Sequence, residues 1–279
     1  MLGPGAVLPA DALLGVCTVA VPAMAEAAGA AWFGQPPMPL PRPRAAVDRR
    51  HTQAPSLLRR VNRWAWETAR LGLPLGLLLV TAWWLDRLLA VSATGLALIG
   101  QVALATAAAA GALAVVCLAL KWLLLGRVRP SEHPLWSCWC SRWDFMYVAW
   151  SLYVPWFVAP LEGTLWLTWY LRAMGMTIGR RVLLGAGFAD VVDPDMITID
   201  DGATVHALFQ AHTFEDRVLK MGRVHIGPGA TVGPGAVPLY GTSVGAGTRV
   251  APHSVIMKGE TLAADTAYEG VPVAVVGRR

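Results

Sequence analysis

The residue best suited to chemistry is His212, which stands where a regular six-residue spacing of aliphatic residues is interrupted. Inward positions fall at Ala211 and Ile226, an interval of fifteen residues rather than six, so a loop must leave the regular structure between them. An imidazole at the base of such a loop can remove a proton from an attacking amine or hydroxyl near neutral pH. His212 is therefore a candidate general base.

Two carboxylates follow in the same loop and could orient the imidazole. Glu215 and Asp216 stand three and four residues after His212, and a carboxylate bonded to an imidazole holds a catalytic base in place. In an alternative interpretation His212 caps the coil, while Glu215, Asp216 and Arg217 form a solvated ion cluster. Spacing alone favours neither interpretation.

The other histidines raise a metal-site hypothesis. His206 stands six residues before His212 and His225 closes the loop, a loose match to the zinc site of γ-carbonic-anhydrase-type β-helices. That site needs a closely spaced histidine pair and a third ligand across a subunit boundary, so no metal is expected here. His253 is expected on the solvated surface.

The elements that must position His212 follow from a long run of aliphatic residues at period six. The run opens with Ile178 and Leu184, resumes at Ile199 and Val205, and continues as Ile226, Val232, Pro238, Val244, Val250, Ile256 and Leu262. Small residues follow four positions later, and glycines stand at the corners, where positive φ is needed. This pattern predicts a left-handed parallel β-helix, in which each coil has three short strands. Pro238 is a poor fit at an inward position.

The N-terminal residues carry the same spacing. Leu2, Leu8, Leu14 and Ala20 lie six residues apart, so residues 1–35 are predicted to be the terminal coil and tail of a preceding β-helix. The two β-helical regions also end alike. Trp32-Phe33-Gly34-Gln35-Pro36 matches Tyr268-Glu269-Gly270-Val271-Pro272, which indicates a domain-scale repeat.

The composition argues against a single soluble globule. Hydrophobic residues make up 55% of the chain and charged residues 15%, well below the ~25% usual in soluble domains. Residues 36–70 are predicted to be a Pro/Arg-rich linker, and residues 71–125 a transmembrane hairpin with spans near 71–90 and 95–120. Basic residues on both sides of the hairpin predict that both β-helices face the cytosol. The net charge of +5 is modest, and the arginines cluster beside apolar runs, so nucleic acid is not an expected partner.

The segment 126–175 allows two interpretations. It is apolar and rich in Trp and Tyr, but it contains Pro155, Pro160 and Glu162 and has basic residues at both ends. It is predicted to be an amphipathic or re-entrant membrane segment, with a third span as the alternative. Residues 176–279 then form the complete β-helix. The four cysteines predict no disulfide framework.

Several segments carry a specific resemblance to a known family. They are the stretch from Gln210 to Lys220, Met257-Lys258-Gly259-Glu260, and the Gly270-Val271-Pro272 tail. These segments resemble the hexapeptide-repeat acyltransferase superfamily. More narrowly, they resemble the C-terminal membrane region of nonribosomal peptide synthetases of the ε-poly-lysine synthetase type. The segments Lys121-Trp122-Leu123-Leu124 and Glu132-His133-Pro134-Leu135-Trp136 also match, in order, the piece that those proteins place between a span and the next β-helix.

The resemblance implies an acyltransferase that joins a pantetheine thioester donor to an amine acceptor. His212 matches the superfamily's general base, and the donor is expected along the coil edge. The residues expected there are Gly233, Pro234, Ala251, Pro252, Met257 and Lys258. Ala274 stands where a basic residue often follows the tail proline, which puts binding of the coenzyme A phosphate in doubt. A carrier-bound pantetheine lacks that phosphate and does not need the basic residue.

The expected partners also follow from the resemblance. They are the membrane, upstream adenylation and carrier domains, and sister β-helices packed as a trimer or a trimer-like block. The sequence itself shows no adenylation motif or carrier attachment site, so it resembles a terminal portion of such a synthetase, with the coils on the cytoplasmic side of the cell membrane. Two alternatives stay open: a membrane-tethered, acetyl-CoA-dependent O- or N-acetyltransferase, and a non-catalytic β-helical scaffold.

Overall fold

A computed structural model of the chain describes residues 7–15, 18–20, 29–34, 37–40 and 47–278. The chain divides into two compact units, Met1–Ala46 and Val47–Arg279. The helices are α1 (Arg49–Thr52), α2 (Leu57–Arg70), α3 (Leu73–Leu89), α4 (Gly95–Leu124), α5 (Cys138–Tyr153), α6 (Pro155–Val158) and α7 (Leu165–Ala173). Short 3₁₀ helices lie at Ala159–Leu161, Phe188–Asp190 and Pro194–Met196.

The strands are short, as expected where three of them make one coil. They are β1 (Leu13–Leu14), β2 (Ala31–Phe33), β3 (Met38–Leu40), β4 (Ser131–Pro134), β5 (Thr177–Ile178), β6 (Leu183–Leu184), β7 (Ile197–Ile199), β8 (Thr204–Ala207), β9 (His212–Glu215), β10 (Val218–Met221), β11 (Val224–Ile226), β12 (Thr231–Pro238), β13 (Ser243–Val244), β14 (Arg249–Val250), β15 (Val255–Ile256), β16 (Thr261–Leu262), β17 (Thr266–Glu269) and β18 (Ala274–Arg278).

The C-terminal strands stack in parallel ladders at a constant separation of eighteen residues. Ser243 pairs with Thr261 in one ladder, Arg249 with Ala267 in a second, and Val237 with Val255 in a third. Three strands therefore complete each coil. The inward aliphatic residues of the run are buried, because a residue at period six returns to the same inward position on each successive strand. These ladders fit the hexapeptide-repeat β-helix that the spacing predicts.

Pro238 occupies its inward position without interrupting the ladder. Its neighbours Val237 and Leu239 donate their backbone N–H groups to the carbonyls of Ser254 and Ile256, at 2.8 and 3.1 Å. The Pro238 carbonyl accepts from the backbone of Gln210 at 3.0 Å. The ladder toward β15 therefore does not use the N–H that proline lacks.

The first unit contains one coil step with the same spacing. Leu14 on β1 pairs in parallel with Trp32 on β2, eighteen residues later, and β3 then returns antiparallel to β2. Near the C-terminus Val250 on β14 pairs in parallel with Tyr268 on β17, and β18 returns antiparallel. The two tails that match in sequence therefore have the same strand pairing. Leu2, at the start of the predicted run, lies outside the described residues.

The helices α3 and α4 pack against each other as a hairpin. α4 lacks proline and is rich in Ala and Leu, which are strong helix formers, and Trp84 on α3 donates to the Thr106 hydroxyl on α4 at 3.0 Å. Within the described residues, two helical segments are long and apolar enough to cross a membrane, Arg50–Leu89 and Gly95–Leu124. Their length and composition support membrane association.

The predicted linker differs from the structure in its second half. Its last proline is Pro55, and the proline-free stretch after it forms the helix α2. The polar face of α2 is bonded to α5: Asn62 donates to the Ser141 hydroxyl at 3.1 Å, and Arg63 forms an ion pair with Asp144. Residues 36–70 are therefore not an extended linker throughout, because Leu57–Arg70 is helical and its Asn62 and Arg63 have partners on α5.

The helix α5 lies between the helical hairpin and the β coils. The Trp150 indole donates to the carbonyl of Ala189 at 2.6 Å, and the Tyr153 hydroxyl donates to the carbonyl of Leu73, the first residue of α3, at 2.7 Å. The stretch from α5 to α7 contains no helix long enough to cross a bilayer, so the alternative of a third span is not supported. Its interpretation as an amphipathic or re-entrant segment stays a prediction.

Candidate active site

The interruption after Ala211 folds as a β-hairpin rather than an irregular loop. β9 and β10 pair antiparallel with His212 opposite Met221, and the N–H of Gly222 donates to the carbonyl of Ala211 at 3.0 Å, which closes the root. Asp216 and Arg217 form the tip, both with positive φ. β4, from the chain that follows α4, adds a third strand along β10. The hairpin root is therefore firmly held.

His212 forms a hydrogen-bonded pair with a carboxylate that the sequence analysis missed. Its Nδ1 lies 2.5 Å from Oδ2 of Asp193, whose side chain is 2% exposed, while the His212 side chain is 23% exposed. The other carboxylate oxygen, Oδ1, accepts the indole N–H of Trp143 at 2.8 Å. With Nδ1 donating to Asp193, Nε2 becomes the basic nitrogen of the ring.

Trp143 also restricts the imidazole directly. The ring centroids of Trp143 and His212 are 4.7 Å apart with an interplanar angle of 72°, an edge-to-face contact. Tyr147, one turn further along α5, lies edge-on to the same ring at 6.2 Å. A helix outside the coils therefore supplies one wall of the site.

The structure corrects the predicted partner of the imidazole. Successive side chains of a strand point to opposite faces, so Glu215, three residues after His212 on β9, faces away from it. Glu215 is buried and accepts from Lys220 at 3.1 Å and from Lys258 at 2.8 Å. Asp216 lies at the tip of the hairpin, at the opposite end from His212. Nor does Glu215 belong to a solvated ion cluster, because its ion pairs are enclosed.

The pKa of Glu215 follows from these contacts. Burial by itself would raise the pKa of the carboxyl group, but hydrogen bonds from Lys258 and Lys220 outweigh burial and lower that pKa below the ordinary value. The carboxylate therefore stays ionised and forms ion pairs with two buried lysines. Its role in the structure is to fasten the hairpin to the neighbouring coil.

The predicted donor residues are divided between two corners of the coils. Gly233 and Pro234 lie one coil from Ala251 and Pro252, and a Cβ on Gly233 would come within 2.7 Å of the Pro252 nitrogen, so only glycine fits there. Met257 and Lys258 lie at another corner, which touches the hairpin through the contact between Lys258 and Glu215.

The remaining histidines are separated from the dyad. His225 bonds to Asp200 at 2.7 Å, with both side chains substantially exposed. His206 lies against Gly185, and the exposed His253 lies against Gly235. Within the part of the chain that the structure describes, no three His, Cys, Asp or Glu side chains are grouped so that they could hold a metal ion.

A cleft of about 660 Å³ opens beside the dyad. It is lined by Trp143, Asp144, Tyr147, Asp190, Val192, Leu208, Phe209, Gln210, His212, Thr213 and Phe214. The described lining includes two carboxylates and no Lys or Arg. Asp144 is paired with Arg63 from α2, and Asp190 is exposed at the rim. Such a cleft suits a substrate that carries an amine, because carboxylates and aromatic faces both attract cations.

Asp193 could have been found from a second interruption in the spacing. The inward positions Leu184 and Ile199 are also fifteen residues apart, and Asp193 lies in the extra segment. The stacking of coils brings this segment to the hairpin root. The sequence therefore shows that an extra segment is present, but the six-residue spacing does not predict where a side chain outside the coils points.

No family model matches the sequence. The chain is similar to a delta-poly-L-ornithine synthetase of Acinetobacter baumannii (strain AB307-0294), with 32% identity over 282 residues that cover 97% of this chain and 21% of the relative. The chain thus spans about a fifth of that relative's length. This similarity confirms the predicted resemblance to poly-amino-acid synthetases.

Solved structures that match part of this chain include hexapeptide-repeat transferases. A Vibrio cholerae hexapeptide-repeat acetyltransferase is 16% identical and covers 61% of this chain and 92% of its own, with a TM-score of 0.34. Its complex with acetyl coenzyme A, from V. cholerae O1 biovar eltor, covers 37% of this chain and 60% of its own at 19% identity and a TM-score of 0.33. An N-acyltransferase from Bacillus cereus in complex with dTDP and 3-hydroxybutyryl-CoA is 20% identical, and the match covers 37% of this chain and 58% of the acyltransferase, with a TM-score of 0.27. The fold assignment rests on the strand registers of this chain.

Proposed function

We propose that this chain is the membrane-associated acyltransferase part of a poly-amino-acid synthetase, and that its second unit forms amide bonds from a thioester donor and an amine acceptor. The observation that carries the proposal is the His212–Asp193 dyad, which opens into a cleft with carboxylate and aromatic walls. The relationship to a poly-L-ornithine synthetase supports an amino acid as the unit that is joined. The proposal includes the left-handed winding of the coils.

The chemistry assigned to the dyad is general base catalysis. As the acceptor nitrogen attacks the thioester carbonyl, Nε2 of His212 takes the proton that the nitrogen loses. The carbon–sulfur bond then breaks, and the imidazolium returns its proton to the leaving thiolate, so the products are an amide and a thiol. Asp193 stabilises the positive imidazolium between these steps. Burial of Asp193 strengthens this effect because water does not screen the pair.

The cleft favours a diamino acid as the acceptor. An aliphatic amine is protonated at neutral pH, with an ordinary pKa of about 10.4. Asp190 at the rim can attract such an ammonium group, and the aromatic faces of Trp143 and Tyr147 can hold it by cation–π contact. One amine of the acceptor would then bind near Asp190, while the other, once neutral, reacts beside His212.

The donor substrate is proposed to be a pantetheine thioester held by a carrier domain. We place it toward the corner of Met257 and Lys258, which touches the hairpin. The Lys258 ammonium is already paired with Glu215 and its side chain is only 7% exposed, so it is poorly placed to bind a phosphate. Together with Ala274 after the tail, this supports a donor without the adenosine 3′-phosphate of coenzyme A.

The partners follow from the same proposal. Adenylation and carrier domains would supply the thioester, and sister β-helices would pack beside this one in a trimer-like block. The helices α3 and α4 would hold the chain in the cell membrane as a multi-pass protein. The basic residues on either side of the hairpin support a cytoplasmic position for the coils.

A donor comparison tests the proposal against its two alternatives. The whole synthetase that contains this chain would be placed in lipid nanodiscs and given synthetic aminoacyl-pantetheine or acetyl-CoA with ornithine as acceptor. We expect amide formation from aminoacyl-pantetheine, at a rate about 10²- to 10⁴-fold lower with the His212→Ala variant. Products from acetyl-CoA alone would instead identify an acetyltransferase. Equal turnover in the wild type and the variant would leave the β-helix as a scaffold.

A further inference from the structure

The segment that carries Asp193 is also held from its other side. Asp195, two residues later, has a side chain that is 1% exposed and lies 2.8 Å from the ammonium of Lys121, which is itself 3% exposed. Lys121 stands in the last turn of α4, one of the two helices suited to crossing a membrane. A fully buried ion pair therefore joins the membrane hairpin to the segment beside the cleft.

Additional contacts fix the position of Asp195. The same oxygen, Oδ2, accepts the backbone N–H of Val128 at 3.3 Å, from the chain just after α4. Gly175 packs so closely on this carboxylate that an added Cβ would overlap it, and its φ is 110°. Asp195 therefore has little freedom to move while α4 stays in place.

The connection from Asp195 to the dyad is short and stiff. Only Pro194 separates the two aspartates, and its ring fixes the backbone φ angle. A shift of the Asp195 backbone therefore moves Asp193, whose carboxylate must meet both Trp143 at 2.8 Å and His212 at 2.5 Å. Misplacement of a catalytic group by about 1 Å can lower the rate about 10²-fold.

We propose that Lys121 is a positioning residue for acyl transfer: its buried ion pair with Asp195 sets the place of Asp193 and, through it, the orientation of His212. The membrane hairpin then completes the catalytic site in addition to anchoring the chain. This inference rests on the proposed function of the dyad.

The test is a double-mutant cycle on the complete synthetase in nanodiscs. Lys121→Met should lower kcat about 10- to 100-fold with little change in KM, because the cleft walls remain. Lys121→Arg, which keeps the ion pair, should restore most of the activity. In an Asp193→Asn background Lys121→Met should cost almost nothing further, since both changes act through the same carboxylate. Arg127→Met is the matched control, an exposed cation six residues later, and should stay within twofold.

Different failures have different meanings. A merely structural role for Lys121 predicts additive losses in the cycle, and additivity would overturn the inference. A kcat within twofold for folded Lys121→Met would also overturn it while leaving the dyad intact. If His212→Ala and Asp193→Asn have no effect, the proposed function and this inference fall together. If Lys121→Met alone does not fold, the double variant Lys121→Met/Asp195→Asn replaces it, because it leaves no unpaired buried charge. The double variant should still have a low kcat, and full activity of the double variant would refute the inference.

Discussion

Replacing Asp193 by asparagine should disable His212 while leaving its surroundings almost unchanged. Asparagine has the same shape, and its Oδ1 can still accept the Trp143 indole N–H, now at 2.8 Å. The amide nitrogen would then face Nδ1, so two donors would meet at the place of the present 2.5 Å contact. The imidazole must therefore adopt the tautomer with a proton on Nε2, which cannot accept one from the substrate.

The magnitude follows from what the carboxylate supplies. Loss of the correct tautomer and of imidazolium stabilisation should lower kcat by about 10²- to 10⁴-fold, which is roughly 3–5 kcal/mol of transition-state stabilisation. The KM for the acceptor should change little, because the cleft residues other than the dyad are unaltered. The assay follows thioester consumption and amide formation together, with circular dichroism to verify folding.

Asp200 provides the matched control. It bonds to His225 at 2.7 Å in an exposed His–Asp pair outside the cleft, so Asp200→Asn should keep kcat within twofold. If Asp193→Asn also stays within threefold of the wild type, the carboxylate does not prepare the base and the reasoning is refuted.

Two further predictions concern the hairpin and the topology. Glu215→Gln should destabilise the fold by about 3–5 kcal/mol, because Lys220 and Lys258 lose their buried counter-charge. The pKa of Glu215 is lowered in the folded state, so the stability that Glu215 contributes is complete above the ordinary pKa of 4.5 and is lost as pH falls through the folded pKa. Tm measured over a pH series should show this acid step in the wild type and not in Glu215→Gln. The same acid step in both proteins would contradict the assignment. Single cysteines at Ala90 and Arg249 should react with a membrane-impermeant maleimide from opposite sides of the membrane, and labelling from one side would exclude the hairpin topology.

The periodic features of this fold could be predicted from the sequence because the same residue types recur at the same position of each coil. The residues at period six from Ile226 to Leu262 are buried as expected. Pro238, a poor fit by residue type, is buried as well. The matching tails at Trp32 and Tyr268 also share their strand pairing. The repeat determines which side chains of each strand face inward, and this is sufficient to predict the coils.

The site could be predicted only in part, because its residues meet through tertiary packing. The interrupted spacing identifies His212, but Asp193 is nineteen residues away and Trp143 lies on a helix before the coils. Closeness in sequence suggests Glu215 as the partner of His212, but strand alternation places Glu215 on the other face of β9. The composition of residues 36–70 does not reveal the helix α2, because the prolines before it dominate that composition.

The central claim is that His212 is the base for amide formation, and His212→Ala tests it most directly. Thioester consumption coupled to amide formation would be measured on the complete synthetase, with folding verified by circular dichroism and His225→Ala as the control. We expect His212→Ala to lose about 10²- to 10⁴-fold in rate, while His225→Ala stays near the wild type. A folded His212→Ala protein within about threefold of the wild-type rate would contradict the claim.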